Sequence, residues 1–337
     1  SPTTHSRGPL WPIWKKMKKT RNLLLIFLIV FVHSCSNKNK QKEDNLEKAI
    51  EFFNNEDYNK SLSYVNTLIE TDSLDYVSWT LKGRILFNLG QDKKGINAIN
   101  KAIEINPDYH KAYSYRATMN YLSGNHNVNE IISDINIALS DNPDNVELIK
   151  LKAGYLYESN KFLKAKDEYD KILSIKPNDY EALVEKSVIN SKIGNIELSL
   201  KGFRQAIKIE PLKTYAYEVR GDFFIKQEEY EKAISDYDKV IQNIQDNDNF
   251  KQNKSYTLNN RGFAYFKIGE NEKALSDINN SLKILPTNSY AFKNRALVYL
   301  KTNKINKACK DLKKAIELGY SEKYDDEVEK LNDKNCG

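Results

Sequence analysis

Apolar residues recur at helical spacing through residues 45–320, and prolines punctuate that pattern at regular intervals. Pro107, Pro143, Pro177, Pro211 and Pro286 each follow an apolar-periodic helix, at spacings of 36, 34, 34 and 75 residues. The last spacing is two periods of 34 plus seven extra residues. A fixed period between about 20 and 50 residues marks stacked repeats, each unit lending its neighbour the apolar surface it cannot bury alone.

With proline set at position 32 of the 34-residue unit, other columns fall into line. Position 8 is small: Ala49, Gly83, Ala117, Ala153, Ser187, Gly221, Gly262 and Ala296. Position 20 is small in seven units, with Ile131 the exception. Position 24 is large: Val65, Ile99, Ile135, Tyr169, Phe203, Tyr237, Ile278 and Leu312. Small residues let paired helices approach, large ones fill the gap to the next helix, and proline ends the second helix. Eight units start near residues 42, 76, 110, 146, 180, 214, 255 and 289. A two-residue insertion lies in unit 3, and units 1 and 6 carry Ser73 and Gln245 in place of proline.

Trp79–Gly83 ("WTLKG") and Asn260–Tyr265 ("NRGFAY"), followed by Gly269, Ala274, Ile278 and Pro286, resemble the tetratricopeptide repeat, with eight units in phase over about 280 residues. The resemblance implies an all-α, right-handed α-solenoid of helix-turn-helix units with a concave inner face. The polar-backed segment after unit 8 reads as a capping helix and tail, residues 321–337.

The N-terminus follows a different logic. Met17 opens a short basic stretch, and Leu23–Val32 is ten unbroken apolar residues, half of the roughly 20 a spanning helix needs. Residues 17–34 therefore read as a signal peptide. Val32-His33-Ser34-Cys35 resembles the lipobox of bacterial lipoproteins, which implies lipid on the Cys35 sulfur. An ordinary cleaved signal with an incidental cysteine and an uncleaved anchor are the alternatives. Residues 1–16, with three prolines and no initiating methionine, read as a disordered extension of non-native or upstream origin, and residues 35–44 as a flexible tether. This segment also disposes of the net charge of +6. Residues 1–34 hold six basic residues and no acid, and the remaining 46 basic residues meet 46 acidic ones. A charge-driven nucleic-acid role loses its support.

If Cys35 carries lipid, Cys309 and Cys336 remain. Two thiols in an exported chain point to a disulfide. The second helix of unit 8 and the returning cap would bring their ends together, and the stretch also resembles C-terminal units of tetratricopeptide-repeat proteins from Bacteroidetes-like bacteria. The alternative is two free thiols.

Enzyme chemistry finds no foothold. His110 and His126 are the only histidines after Cys35, neither has a partner at ligand spacing, and no glycine-rich phosphate loop occurs. "DNDNF" (Asp246–Phe250) starts like a calcium loop but lacks its glycine and glutamate. No metal, cofactor or catalytic residue is expected, and scattered carboxylates read as solvated helix faces. The groove remains. In the resembled family positions 2, 5, 6, 9, 12 and 13 of each first helix face inward. Here that places Tyr215, Tyr256 and Tyr290, Asn260 and Asn294, and Lys226, Lys267 and Lys301 along units 6–8. Tyrosine offers rigid amphipathic contact area and asparagine can pair with an extended peptide backbone. The same residues also serve as ordinary repeat structure. The expectation is a non-enzymatic, lipid-anchored scaffold in the bacterial envelope that binds a protein or peptide. A pilotin-like assembly lipoprotein of a secretion or pilus complex, or an accessory subunit of an envelope enzyme, are the alternatives.

Overall fold

The computed structural model describes residues 40–124, 127–244 and 251–336. The signal segment, Cys35, His126 and the Asp246–Phe250 turn lie outside the described residues. Every regular element among the described residues is a helix. Packing divides the described residues into two compact units, one up to residue 148 and one from residue 149.

In the first unit, α1 (40–54) and α2 (Tyr58–Thr71) form a hairpin, followed by α3 (Tyr76–Asn88) with α4 (Asp92–Ile105) and α5 (His110–Leu122) with α6 (Val128–Asp141). Helix α7 (Val146–Glu158) opens the next hairpin. The second unit continues with α8 (Phe162–Ile175), α9 (Tyr180–Lys192), α10 (Ile196–Ile209), α11 (Tyr215–Lys226) and α12 (Tyr230–Asn243). It ends with α13 (Lys251–Lys267), α14 (Asn271–Ile284), α15 (Ser289–Lys301), α16 (Ile305–Glu317), α17 (Tyr320–Lys323) and α18 (Glu327–Cys336).

Two boundaries differ from the sequence reading. Helix α1 starts at residue 40, inside the segment expected to be a tether. Lys42 anchors that turn, with Nζ 3.0 Å from Asp72 and 3.1 Å from Asp75. The cap is two pieces, because Tyr320 turns into the core at 1% exposure and the chain restarts at Glu327.

The small and large columns meet as steric reasoning requires. A Cβ on Gly83 would lie 2.6 Å from Ile99, one on Gly221 2.7 Å from Tyr237, and one on Gly262 2.7 Å from Ile278. Position 24 is correspondingly buried: Val65, Ile99, Ile135, Tyr237, Ile278 and Leu312 are all at 0% exposure. The turn inside each hairpin takes a left-handed residue, glycine at Gly90, Gly124, Gly194 and Gly269, but Glu56, Asn160, Glu228 and Asn303 elsewhere. Side chains of Asp57, Asp75, Asn127, Asp179 and Asn288 cap helix N-termini.

A further column was not anticipated. Position 7 of the first helix pairs with position 23 of the second, inside one hairpin. Arg116 grips Asp134, Arg220 grips Asp236, Arg261 grips Asp277 and Arg295 grips Asp311, each through two bonds of 2.7–2.8 Å. Lys152 and Glu168 make the same connection at 2.8 Å. All five acids are buried, at 4–6% exposure. In the hairpin of α9 and α10 the acid is replaced by Gly202, where a Cβ would collide with Ser187 Oγ, and Lys186 pairs with Asp170 instead. At the C-terminus a disulfide joins Cys309 of α16 to Cys336 of α18, with Cα atoms 5.5 Å apart.

Candidate functional site

In the second unit the first helices of successive hairpins touch one another, α9 on α11, α11 on α13 and α13 on α15. They line one face. The sequence-predicted residues on it meet different fates. Tyr215 is 42% exposed, and its hydroxyl donates to Glu185 Oε1 at 2.7 Å. Tyr256 is 36% exposed, and its hydroxyl oxygen accepts from Gln252 Nε2 at 3.2 Å. Asn260 is half-buried and donates to Asp222 Oδ1 at 3.1 Å. Lys226 and Lys301 are exposed, and Lys267 lies 5.6 Å over Tyr230 and 5.9 Å over Phe263.

Two residues are taken up by the fold. Asn294 is 1% exposed, and its Nδ2 donates to Asn259 Oδ1 at 3.0 Å, tying α15 to α13. Its Oδ1 is buried without a hydrogen-bond partner among the described residues. Tyr290 stacks on Tyr320 at 5.9 Å and meets Tyr324 at 5.4 Å, so the cap occupies its ring.

The face also holds carboxylates that the sequence reading dismissed as solvated. Glu185 of α9 and Glu218 and Asp222 of α11 are half-buried. They stand at positions 6, 5 and 9, all inward-facing columns. Asp222 accepts from Tyr237 at 2.6 Å and from Asn260, with Lys226 nearby. Glu185 has only the Tyr215 hydroxyl, and Glu218 has no hydrogen-bond or ion-pair partner among the described residues. Burial pushes all three carboxyls up. For Glu218 burial acts first, the Asp222 charge adds to it, and the carboxyl rises to about 7.

Comparison with known proteins settles the architecture. The tetratricopeptide-repeat family model matches residues 76–109, 214–247 and 292–318. These three stretches carry tetratricopeptide repeats. Its repeats resemble RNA polymerase II-associated protein 3 of Homo sapiens, 26% identical over 186 residues, which are 51% of this chain and 28% of that protein. The C-terminal part of a TPR repeat-containing protein from Cytophaga hutchinsonii superposes with a TM-score of 0.59 at 15% identity, over 74% of this chain and 98% of that one. A tetratricopeptide repeat protein from Parabacteroides merdae gives 0.50 at 18% identity, over 88% and 99%. The chain spans less than half the length of the curated relatives it matches. The fold class is an all-α repeat solenoid.

On this tetratricopeptide-repeat face the raised Glu218 carboxyl makes stability depend on pH. Its folded-state value lies above its ordinary 4.5. The folded protein thus keeps a proton that the unfolded chain has lost, and the stabilisation is complete below about 4.5 and disappears as pH rises through about 7. Glu218→Gln is expected to remove this slope and to stabilise the protein at pH 8 by on the order of 1–3 kcal/mol relative to wild type. Urea unfolding of both proteins at pH 5 and pH 8 checks it; parallel changes in the two would show that Glu218 is not the titrating group.

Proposed function

We propose that this tetratricopeptide-repeat chain is a non-catalytic docking scaffold for a protein or peptide, held by lipid at Cys35 in a bacterial cell envelope. The observation that carries the docking reading is the α9–α11–α13 face, where tyrosines flank half-buried carboxylates with no cation on Glu185 or Glu218. Desolvated carboxyls without a cation are costly to ionise, and such groups collect at binding sites. The anchoring half rests on the Leu23–Cys35 sequence alone. No helix among the described residues is long and apolar enough to cross a membrane.

Two measurements test the two halves separately. Crosslinking and mass spectrometry on native membranes is expected to place partner crosslinks on α9, α11 and α13; crosslinks confined to the first unit would overturn the docking reading. Cys35→Ala is expected to abolish incorporation of a labelled fatty acid and to release the protein from the membrane fraction. Persistent labelling of the variant would remove the anchor.

A further inference from the structure

Gly154 is the starting point. Eleven glycines lie among the described residues, and ten have a visible reason. Five adopt a left-handed backbone, and five stand where a Cβ would press on a neighbouring helix. Gly154 has neither: it sits in the interior of α7, and a Cβ built there meets nothing within 4 Å. Glycine inside a helix is destabilising relative to alanine, so packing gives no cause to keep it. What it does is leave room.

The room belongs to a cleft of about 540 Å³ formed by α7, α8, α9 and α11 of the second unit. Tyr157, Tyr169 and Tyr215 supply aromatic walls, and Glu181 and Glu185 supply carboxylates, with Lys150 at the side. The lysine pairs with Glu181 and leaves Glu185 without a cation among the described residues. Its Nζ is already held by Asp179 at 3.2 Å and Glu181 at 2.8 Å. Glu185 keeps only the neutral Tyr215 hydroxyl. Burial, opposed by that hydrogen bond, pushes its carboxyl up, as expected of a desolvated acid without a cation. An aromatic cleft with an unneutralised carboxylate is complementary to an organic cation, through the ring faces and the charge together.

We infer that this cleft seats a lysine or arginine side chain from an extended segment of a partner protein, with the cation against Glu185 and beside the tyrosine rings. The inference rests on the docking reading above and narrows it to a basic ligand. Gly154 is the specificity-determining gap, because any larger residue there would occupy the space the side chain enters.

The test uses a short fluorescein-labelled glycine–serine peptide carrying two arginines, beside its citrulline and glutamate counterparts, with binding followed by fluorescence anisotropy. The arginine peptide is expected to bind about tenfold or more tightly than the citrulline peptide, which has the same shape without the charge. Gly154→Leu is expected to weaken arginine-peptide binding by about tenfold or more, with helical circular dichroism and melting temperature unchanged or raised. Glu185→Gln is expected to erase the preference for arginine over citrulline and provides a second variant should Gly154→Leu perturb the fold. Equal binding of the arginine and citrulline peptides, or full binding by a folded Gly154→Leu, overturns the inference. If native partner crosslinks still fall on α9–α13 in that case, docking stands and only the basic ligand is lost. If they do not, both readings fall.

Discussion

Asp236→Ala is expected to destabilise the protein by about 3–5 kcal/mol, the cost of stranding a buried charge. Asp236 is 4% exposed, and both its oxygens accept from Arg220, whose guanidinium has no second carboxylate among the described residues. Removing the acid leaves that cation desolvated between α11 and α12, with only the rings of Tyr217 and Phe224 at about 6 Å for company. The same change at Asp277 is expected to cost distinctly less, because Arg261 retains Asp238 at 2.6 Å. Replacing the whole pair, Arg220→Met with Asp236→Leu, is expected to return stability to within about 1–2 kcal/mol of wild type or above it, since apolar groups of similar volume often match a buried pair. Urea denaturation followed by circular dichroism gives the free energies, and hydrogen exchange localises the loss to α11 and α12. An Asp236→Ala protein as stable as wild type would show that the pair does not hold the hairpin.

That pair also shows what could and could not be read from the chain. Period, helix pairing and hairpin boundaries were legible because they depend on local sterics. Pro107 or Pro177 stops a helix wherever it stands, and Gly221 against Tyr237 is a size relation inside one hairpin. The arginine–aspartate column had a signal, a constant 16 residues from Arg220 to Asp236, Arg261 to Asp277 and Arg295 to Asp311. Charged residues on a helix are normally solvated, so the spacing alone does not mark a buried pair. The carboxylate-bearing face of α9 and α11 is harder to read. Glu185, Glu218 and Asp222 stand in inward columns, but whether an inward carboxylate is wet or desolvated depends on how the next hairpin stacks over it. Asn294 failed in the opposite direction: its column faces inward, yet Asn259 and the neighbouring helices enclose it. Gly154 has only its register as a signal, position 9 in an inward column, whereas Gly83, Gly221 and Gly262 stand at position 8; that it makes room shows only when a Cβ is built on it.

Breaking the Cys309–Cys336 disulfide, by Cys336→Ser or by reduction, is expected to destabilise the C-terminal end by about 3–4 kcal/mol on the chain-entropy model. The closed loop is 27 residues and contains most of the cap. Helix α18 covers the last hairpin with Val328, fully buried against a core that includes Leu312, Ala315 and Tyr320. Its other ties are modest, notably an ion pair from Lys293 to Glu327 at 2.7 Å with the acid 46% exposed. Without the crosslink, α18 is expected to exchange its amide hydrogens much faster, exposing the Tyr290–Tyr320 stack, while α9–α12 are unaffected. Repeat stacks couple each hairpin to its neighbours, so a loss at one end attenuates inward. A thiol titration on the folded, non-reduced protein decides whether the bond is present in solution. Two reactive thiols would remove both the expected destabilisation and one support for export, since a persistent disulfide needs an oxidising compartment. Unreactive sulfurs at Cys309 and Cys336, together with rapid exchange of α18 only after reduction, would place the cap under covalent control.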